Sequence, residues 1–579
     1  FDEEGDIQEL GLDNDQIPPS AVDTRWRILD NWTKVANHPS FLSEDLNTSQ
    51  RGQIVSLFQH FARMTKLQKI RVKRLKEGPH LAYESPVVYS FWELQYPKTD
   101  ALRRDCVLIA LPGEPPTPSY LRELEDLIEE KQWLDDYAMV LLFAPGCGTA
   151  HKKRLSRYKS LVIIDESALI DMVLAERKQR KPIGYLRSMM LNALGAENVD
   201  IFKVNQLVNP RTSIFVGRDN LIKRIAGSDG NYVLYGGRRI GKSSVLMEIG
   251  NLLEQRGATV LLQSLEGEGD YSDDAIVAGL MRKLRLEAEE NSVNEFKEKI
   301  QQYLDEDAER KIIFLFDEID IYIKQNSERH ILIEALRALS DRNGSRLRVV
   351  VAGFMALHDC LEGKGPYTPN SDPWRRMFNN DGPLPNLLPA SAENIAQEGF
   401  LEILGWEFER RSIPQLIVKR TGGHPAFVQS FCDKLQRRVA NRGDWCVRVS
   451  DVKAVFDDDH PDQSFIAYVR HTLKMNLEPI EQYIILYLAQ EYKDRDGFTR
   501  AQAFEITKLC KASIPPDEVD QSLKRLEITS VVQKRSSNVY EFSVPDYPVI
   551  LSRLGETKHL DELEKEIERK YPAQEHVNQ

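Results

Sequence analysis

The chain has 579 residues, with 77 Lys and Arg against 89 Asp and Glu, a formal net charge of −12, 41% hydrophobic and 29% charged residues. At ~150 residues per domain this length implies about four folding units, so one small fold is excluded. The acidic balance excludes nucleic-acid binding by bulk charge, six scattered cysteines without a Cys-x-x-Cys pair argue against a disulfide framework or structural zinc, and no apolar run reaches the ~18–20 residues that span a bilayer.

Residues 1–84 begin as an acidic lead-in with Pro18-Pro19. FDEEGDIQEL does not read as a signal peptide, and a first residue of Phe rather than Met fits a fragment or a processed product. Short helices are expected, as at VSLFQHFARMTKLQ (55–68), before the basic stretch KIRVKRLKEG (69–78). That stretch reads either as a solvated turn or as a contact for a phosphate backbone.

Residues 85–190 predict a small α/β unit. Its strands are VVYSFW (87–92), CVLIALPG (106–113), AMVLLFAP (138–145) and SLVIIDE (160–166), with the helix YLRELEDLIEEKQWL (120–134) between the second and third. This order argues for a partly parallel sheet. Asp165 and Glu166 stand at a strand's carboxyl end, where ligands gather on such sheets. No glycine-rich loop precedes them, so Asp165 reads as the cap of the following helix. With no nuclease-like carboxylate–lysine set, the unit reads as a sensor, adaptor or scaffold. A polar linker, 191–212, follows.

The sharpest signal is NYVLYGGRRIGKSSVLMEIGNLL (231–253), which matches G-x-x-x-x-G-K-S. A strand runs into Gly236, Gly237, Arg238, Arg239, Ile240 and Gly241. An amphipathic helix leaves through Lys242, Ser243 and Ser244. Glycines let backbone amides crowd an anion, and the helix N-terminus adds positive partial charge. Lys242 is expected at the β- and γ-phosphates of ATP, and Ser243 on Mg²⁺. KIIFLFDEIDIYI (311–323) supplies the second half of such a site. Asp317 would emerge from a buried strand to hold Mg²⁺, and Glu318 would polarise a water for attack on the γ-phosphate. Asp320 is expected to cap the next helix or to steady the site.

The strand RLRVVVAGF (346–354) ends in Ala352-Gly353, where a polar phosphate sensor is not available, and Arg346 and Arg348 read as surface residues. Trp374-Arg375-Arg376 and the loop arginines Arg238 and Arg239 are candidates to reach a phosphate in this chain or a neighbour. Further on, KRTGGHPAFVQSFCDKL (419–435) breaks at Gly422-Gly423 and restarts a helix at Pro425. His424 there is either a ligand contact or a satisfied core histidine.

With these motifs in place, the chain resembles the signal-transduction ATPases with numerous domains, a branch near the AAA+ and origin-recognition ATPases. SIFVGRDNLIKRI (213–225) resembles that family's hydrophobic-Val-Gly-Arg-acid motif, and Gly423-His424-Pro425 resembles its Gly-x-Pro motif. The resemblance covers roughly 210–550. It implies that Phe215 and Val216 border the adenine, that Gly217 and Arg218 shape the mouth of the pocket, and that Pro425 lies against the adenine or ribose of ADP.

The last third reads as a winged-helix-like domain. EPIEQYIILYLAQEY (478–492), FTRAQAFEITKLC (498–510) and PPDEVDQSLKRLEI (515–528) are expected helices, and SVVQKRSSNVYEFSV (530–544) alternates like a hairpin. The third helix carries Asp517, Glu518, Asp520 and Glu527 against Lys524 and Arg525, which argues against duplex readout and for packing within the protein or onto a partner. HLDELEKEIERKY (559–571) reads as a charged surface helix or one that docks onto a partner.

The expected fold is thus α/β: a P-loop NTPase core with parallel sheet (213–390), a helical lid (391–464), a winged-helix-like domain (465–555) and a charged tail (556–579), preceded by the small α/β domain. The expected function is a slowly hydrolysing ATP/ADP–Mg²⁺ switch acting through self-association or a protein effector, in a cytoplasmic setting. By resemblance, such switches serve bacterial defence or regulation. Two alternatives are a DNA-associated ATPase resembling origin-recognition or loader proteins, and an ADP-bound structural adaptor. No membrane partner is expected, and no leucine-rich, ankyrin or tetratricopeptide period appears near the C-terminus.

Overall fold

In the computed structural model, the described residues are 214–572 apart from 268, 288, 443–444, 459, 461–462, 492–496, 537 and 555–556. Upstream of these it describes 71–74, 81–86, 105–110, 139–143, 161–173 and 201–204, with isolated positions between 28 and 208.

The first sheet contains β1 (Arg71–Arg74), β2 (Leu81–Pro86), β3 (Asp105–Ala110), β4 (Met139–Phe143) and β5 (Leu161–Ile164), in that spatial order. β1, β2 and β3 pair antiparallel, whereas β3, β4 and β5 pair parallel. Residues 71–74 of the basic stretch therefore form a strand at the sheet's edge; edges commonly carry such charges because they discourage further pairing. The expected strand at 87–92 and helix at 120–134 lie outside the described residues. Asp165 does cap the helix Glu166–Val173, its Oδ1 accepting from the Ala168 N–H at 3.0 Å.

The second sheet is wholly parallel. It comprises β6 (Asn231–Tyr235), β7 (Thr259–Ser264), β8 (Ile312–Asp317), β9 (Leu347–Gly353) and β10 (Phe378–Pro383), ordered β10-β6-β9-β8-β7. Helices cover both faces, which explains why β8 and β9 are almost continuously apolar. Ile313 and Leu315 face the helix Lys242–Gln255, while Ile312, Phe314 and Phe316 face the helices Asp273–Leu284, Val293–Asp305 and Ile331–Asn343. Because every strand runs the same way, all carboxyl ends lie along one edge.

Arg346 and Arg348 are not surface residues. Arg348 is buried and donates to the Ile225 carbonyl at 2.5 Å and the Gly230 carbonyl at 3.2 Å. Arg346 donates to the Leu304 carbonyl at 2.9 Å and to Asn343 at 3.1 Å. Their partners are carbonyls of other segments, which no local pattern reveals.

The lid contains the helices Pro389–Gln397, Ile413–Thr421, Pro425–Arg442 and Val449–Asp457. The stretch read as a polar linker contributes to its core: Ile201 and Phe202 are buried, and Phe202 packs on Phe400 with ring centroids 5.1 Å apart. Gln429, buried on the lid's long helix, accepts from the Lys203 N–H at 3.2 Å and donates to the Ile214 carbonyl at 3.3 Å.

The C-terminal module consists of the helices Phe465–Asn476, Pro479–Glu491, Arg500–Thr507 and Pro516–Ile528 and three antiparallel strands, Phe498–Thr499, Val532–Ser536 and Val539–Phe542. The expected helix at 498–510 starts only at Arg500, because Phe498–Thr499 pairs with the hairpin and Thr499 then caps the helix. Two acids of the third long helix are held in ion pairs with arginines. Glu518 and the fully buried Glu481 both pair with Arg525, and Asp520 pairs with Arg500. The helix Thr557–Lys570 docks within the chain: Leu563 and Ile567 are buried, and Tyr483 donates to Glu564 at 2.9 Å. Among the described residues no helix is long and apolar enough to cross a membrane.

Candidate nucleotide site

β6 delivers the chain to Gly236 at the carboxyl edge of the sheet, and the helix Lys242–Gln255 leaves it. The turn between them needs unusual backbone. Gly241 occupies the left-handed region with φ of 97°, and Arg239, not a glycine, has φ of 66°. Ile240 and Ser244 are buried and Ser243 is half-buried. Lys242 is buried, with Nζ donating to the Gly236 carbonyl at 3.1 Å and the Gly237 carbonyl at 3.0 Å. Burial pushes its ammonium below the ordinary lysine range, opposed by the charges of Glu318, Asp317 and Asp320.

β8 ends on Asp317 at the same edge, with β9 lying between it and β6. Glu318 follows with φ of 55°, a left-handed conformation that costs a non-glycine residue of order 1–3 kcal/mol. Burial raises the Glu318 carboxyl above the ordinary range, while Lys242 pulls it the other way. Lysine and acids are thus within each other's field, with the phosphate-loop turn and the acidic strand end at the same edge of the sheet.

Asp320 takes neither expected role in full. It begins the helix Asp320–Gln325, yet its carboxylate accepts from Phe354 N–H, from Ala356 N–H at 2.6 Å and from Leu357 N–H at 3.3 Å. It therefore caps the helix Met355–Leu361, which follows β9, and clamps the ends of β8 and β9 together. Gly353 is required there: a Cβ would come within 2.5 Å of Asp320 Oδ2. This explains the absence of a polar residue at that strand end.

The segments before the loop and on the lid converge on it. Phe215 packs with the cluster around Ile240 and Val245, and Val216 packs against the lid core. Gly217 has φ of 78°, and a Cβ there would strike Ser391. Arg218 is buried and donates to the Pro385 carbonyl at 2.6 Å and the Ile240 carbonyl at 3.4 Å; burial lowers its pKa to about 10. The Gly423 carbonyl accepts from Leu387 N–H at 2.9 Å, and Pro425 opens the lid helix, half-buried. His424 is buried with Nδ1 unpartnered and its ring stacked on Phe427 at 4.1 Å. Burial, with Arg218 and Arg239 nearby, pushes its pKa to about 3, so the imidazole is neutral. An orphaned buried nitrogen beside two arginines suits a pocket that takes a polar, anionic ligand.

Two sets of arginines are placed differently from each other. Arg239 donates to Thr472 at 2.9 Å and lies over the Tyr468 ring, while the Arg238 N–H donates to Asn476 at 2.6 Å. Trp374 is buried and donates to His330 at 3.0 Å, whereas Arg376 is exposed and donates to the Asn370 carbonyl at 2.9 Å. Neither Arg375 nor Arg376 is held towards the loop by these bonds. The contributions of Thr472, Asn476 and Ile528 escape sequence reading altogether, because they come from helices more than two hundred residues downstream.

The donor set fits ATP with Mg²⁺. Mg²⁺ usually takes one or two carboxylates plus phosphate oxygens and waters; Asp317 would offer one carboxylate and Ser243 a hydroxyl. Among the described residues no group of three or more His, Cys, Asp or Glu side chains forms a metal cage of its own.

Comparison with known proteins agrees with this architecture. Residues 224–361 match the family profile described as an AAA domain. No curated protein matches the chain. Similar solved structures include the ORC2 protein of Aeropyrum pernix, at 13% identity and a TM-score of 0.41, covering 63% of this chain and 97% of that one. A Walker-type ATPase of Pyrococcus abyssi is similar at 17% identity and a TM-score of 0.38, covering 60% and 99% respectively. The ORC1 protein of Aeropyrum pernix, solved in complex with DNA, is similar at 15% identity and a TM-score of 0.31, covering 61% and 93%. Residues 224–361 thus carry the fold of an AAA domain, built on the parallel sheet, with the helices of the lid following it.

Proposed function

We propose that this protein is an ATP-binding, slowly hydrolysing switch that couples nucleotide state to the position of its C-terminal module. The observation that carries the reading is the buried Lys242 ammonium, shared between loop carbonyls and lying within the field of Asp317 and Glu318. Its two carbonyl bonds satisfy a charge that burial would otherwise leave uncompensated. A polyphosphate offers it stronger, charge-assisted partners.

When bound, ATP–Mg²⁺ supplies an electrophilic phosphorus and a cation that draws charge off the leaving group. The amides of Gly241, Lys242, Ser243 and Ser244 would hold the inner phosphates, and Lys242 the outer ones. Ser243 and Asp317 would hold the metal, and Glu318 would accept a proton from the attacking water. Phe215, Val216 and Pro425 would border the base, with Gly217 and Arg218 fixing the turn that brings them there. Arg238 and Arg239 stand on the loop's outer side.

Membership of the signal-transduction ATPases, self-association, a protein effector and a role in bacterial defence belong to the same proposal, resting on the motif resemblance. Equilibrium binding of ADP and ATP by the full chain, followed by phosphate release, tests it. Absence of any adenine-nucleotide binding at millimolar ligand would overturn it.

A second reading, as a DNA-associated ATPase, gains from one observation. Two of the four acids that argue against duplex contact, Asp520 and Glu518, are held in ion pairs with Arg500 and Arg525, while Lys534 and Arg535 on the wing are exposed. ATP-dependent binding to duplex DNA would decide for it.

A further inference from the structure

One side of the phosphate loop is covered by the C-terminal module. Three consecutive loop residues bond to it: the Gly237 N–H donates to the Ile528 carbonyl at 3.1 Å, the Arg238 N–H to Asn476 Oδ1 at 2.6 Å, and the Arg239 guanidinium to Thr472 at 2.9 Å. Asn476 is the last residue of the helix Phe465–Asn476, and Ile528 the last of Pro516–Ile528. Two helix C-termini, the negative ends of their dipoles, are therefore aimed at a loop suited to an anion. The Asn476 amide is oriented by its own helix, its Nδ2 donating to the Thr472 carbonyl at 2.9 Å, which turns Oδ1 to the loop. The fit is close: a Cβ on Gly237 would lie 3.2 Å from both the Cα and the carbonyl oxygen of Thr529.

This contact falls at a definite place along a bound polyphosphate. A phosphate-loop lysine reaches the β- and γ-phosphates, and Lys242 Nζ lies against the Gly236 and Gly237 carbonyls. The charge of Arg238 acts on both Lys242 and Glu318. Residues 236–238 therefore mark the terminal-phosphate end, whereas the inner phosphates belong to the turn that opens the helix at Lys242.

We propose that Asn476 is a specificity-determining residue that distinguishes a nucleoside triphosphate from a diphosphate. This rests on the reading of the site as one for adenine nucleotides. With a diphosphate bound, Asn476 and the Ile528 carbonyl keep the Arg238 and Gly237 N–H groups, and the module stays on the loop. A third phosphoryl group brings negative charge against two oxygen acceptors that have no hydrogen to offer. The same two N–H groups then donate to phosphate, in bonds roughly twice as strong as the neutral ones they replace, and the module is released.

The test uses the full chain and equilibrium titrations, with Mg²⁺, of fluorescent ADP and a fluorescent non-hydrolysable ATP analogue. Closed molecules tax only the triphosphate, so Asn476→Ala should tighten the ATP analogue by about fivefold and leave ADP within about twofold. Equal shifts for both nucleotides, or none, would overturn the proposal. Hydrogen exchange on the unmodified protein decides independently if the variant misfolds: the ATP analogue, not ADP, should speed exchange across 522–532. Unchanged exchange with the analogue bound overturns the gate alone. If the unmodified protein binds neither nucleotide, the reading of the site falls with it.

Discussion

Lys242, Glu318 and Asp320 lie within a few residues of the same sheet edge, yet their environments give them separate chemistry. Lys242→Ala removes the only charge-assisted donor proposed for the outer phosphates from this helix, and calorimetry should show nucleotide affinity reduced by about 100-fold or more. Glu318→Gln should retain ATP and lower phosphate release by about 10²–10⁴-fold; turnover at the unaltered rate would show that another group takes the proton. Burial raises the Glu318 pKa, and a base must be ionised to act. The acidic limb of kcat/KM, which reports the free enzyme, should accordingly lie above the ordinary glutamate range and vanish in Glu318→Gln. The same shift weakens the fold as pH rises: the folded state holds its proton more tightly, so stability drops between the ordinary value and the raised one. Folding therefore opposes the ionisation that hydrolysis needs. At this scale the sequence makes the loop and the acidic strand visible, because each is a contiguous pattern of apolar strand, turn and acid. The partners of Asp320 and Arg348 are not legible in it, because they are backbone groups of elements brought near only by the sheet.

At the scale of elements, the parallel sheet brings the ends of β6, β8 and β9 to one edge, and Asp320 binds two of them together. Asp320→Ala removes a carboxylate that accepts from three N–H groups and should cost about 2 kcal/mol in urea unfolding. The loss should exceed that of a cap on an exposed helix, since the freed Leu357 N–H is buried and the other two donors are half-buried. In the C-terminal module the decisive element contact is Arg525 between Glu481 and Glu518. Glu481 is fully buried, so Arg525→Met leaves a carboxylate unpaired and should destabilise the module by about 3–5 kcal/mol, measured as a lower thermal transition. Helix and hairpin order were legible here from periodicity alone. The pairing of the acids was not: composition counts charges on a helix without saying which are already neutralised.

For the whole molecule, the sequence indicated a core, a lid and a module in order, but not their packing. The closure of the module over the loop depends on Thr472, Asn476 and Ile528, residues of ordinary type in ordinary helices, and no spacing announces them. Should the DNA-associated reading hold, Lys534→Glu with Arg535→Glu ought to weaken duplex binding uniformly across sequences and reduce the salt slope by about two. An unchanged slope would place any DNA contact elsewhere.

Gln429 gives the lid a reach beyond the nucleotide. One buried amide grips the chain at Lys203 and again at Ile214, on either side of the stretch that leads from the first sheet into the core. If the proposed switch turns the helix Pro425–Arg442, both ends of that connector move with it, so the entry into the core would follow the lid's angle without touching the ligand.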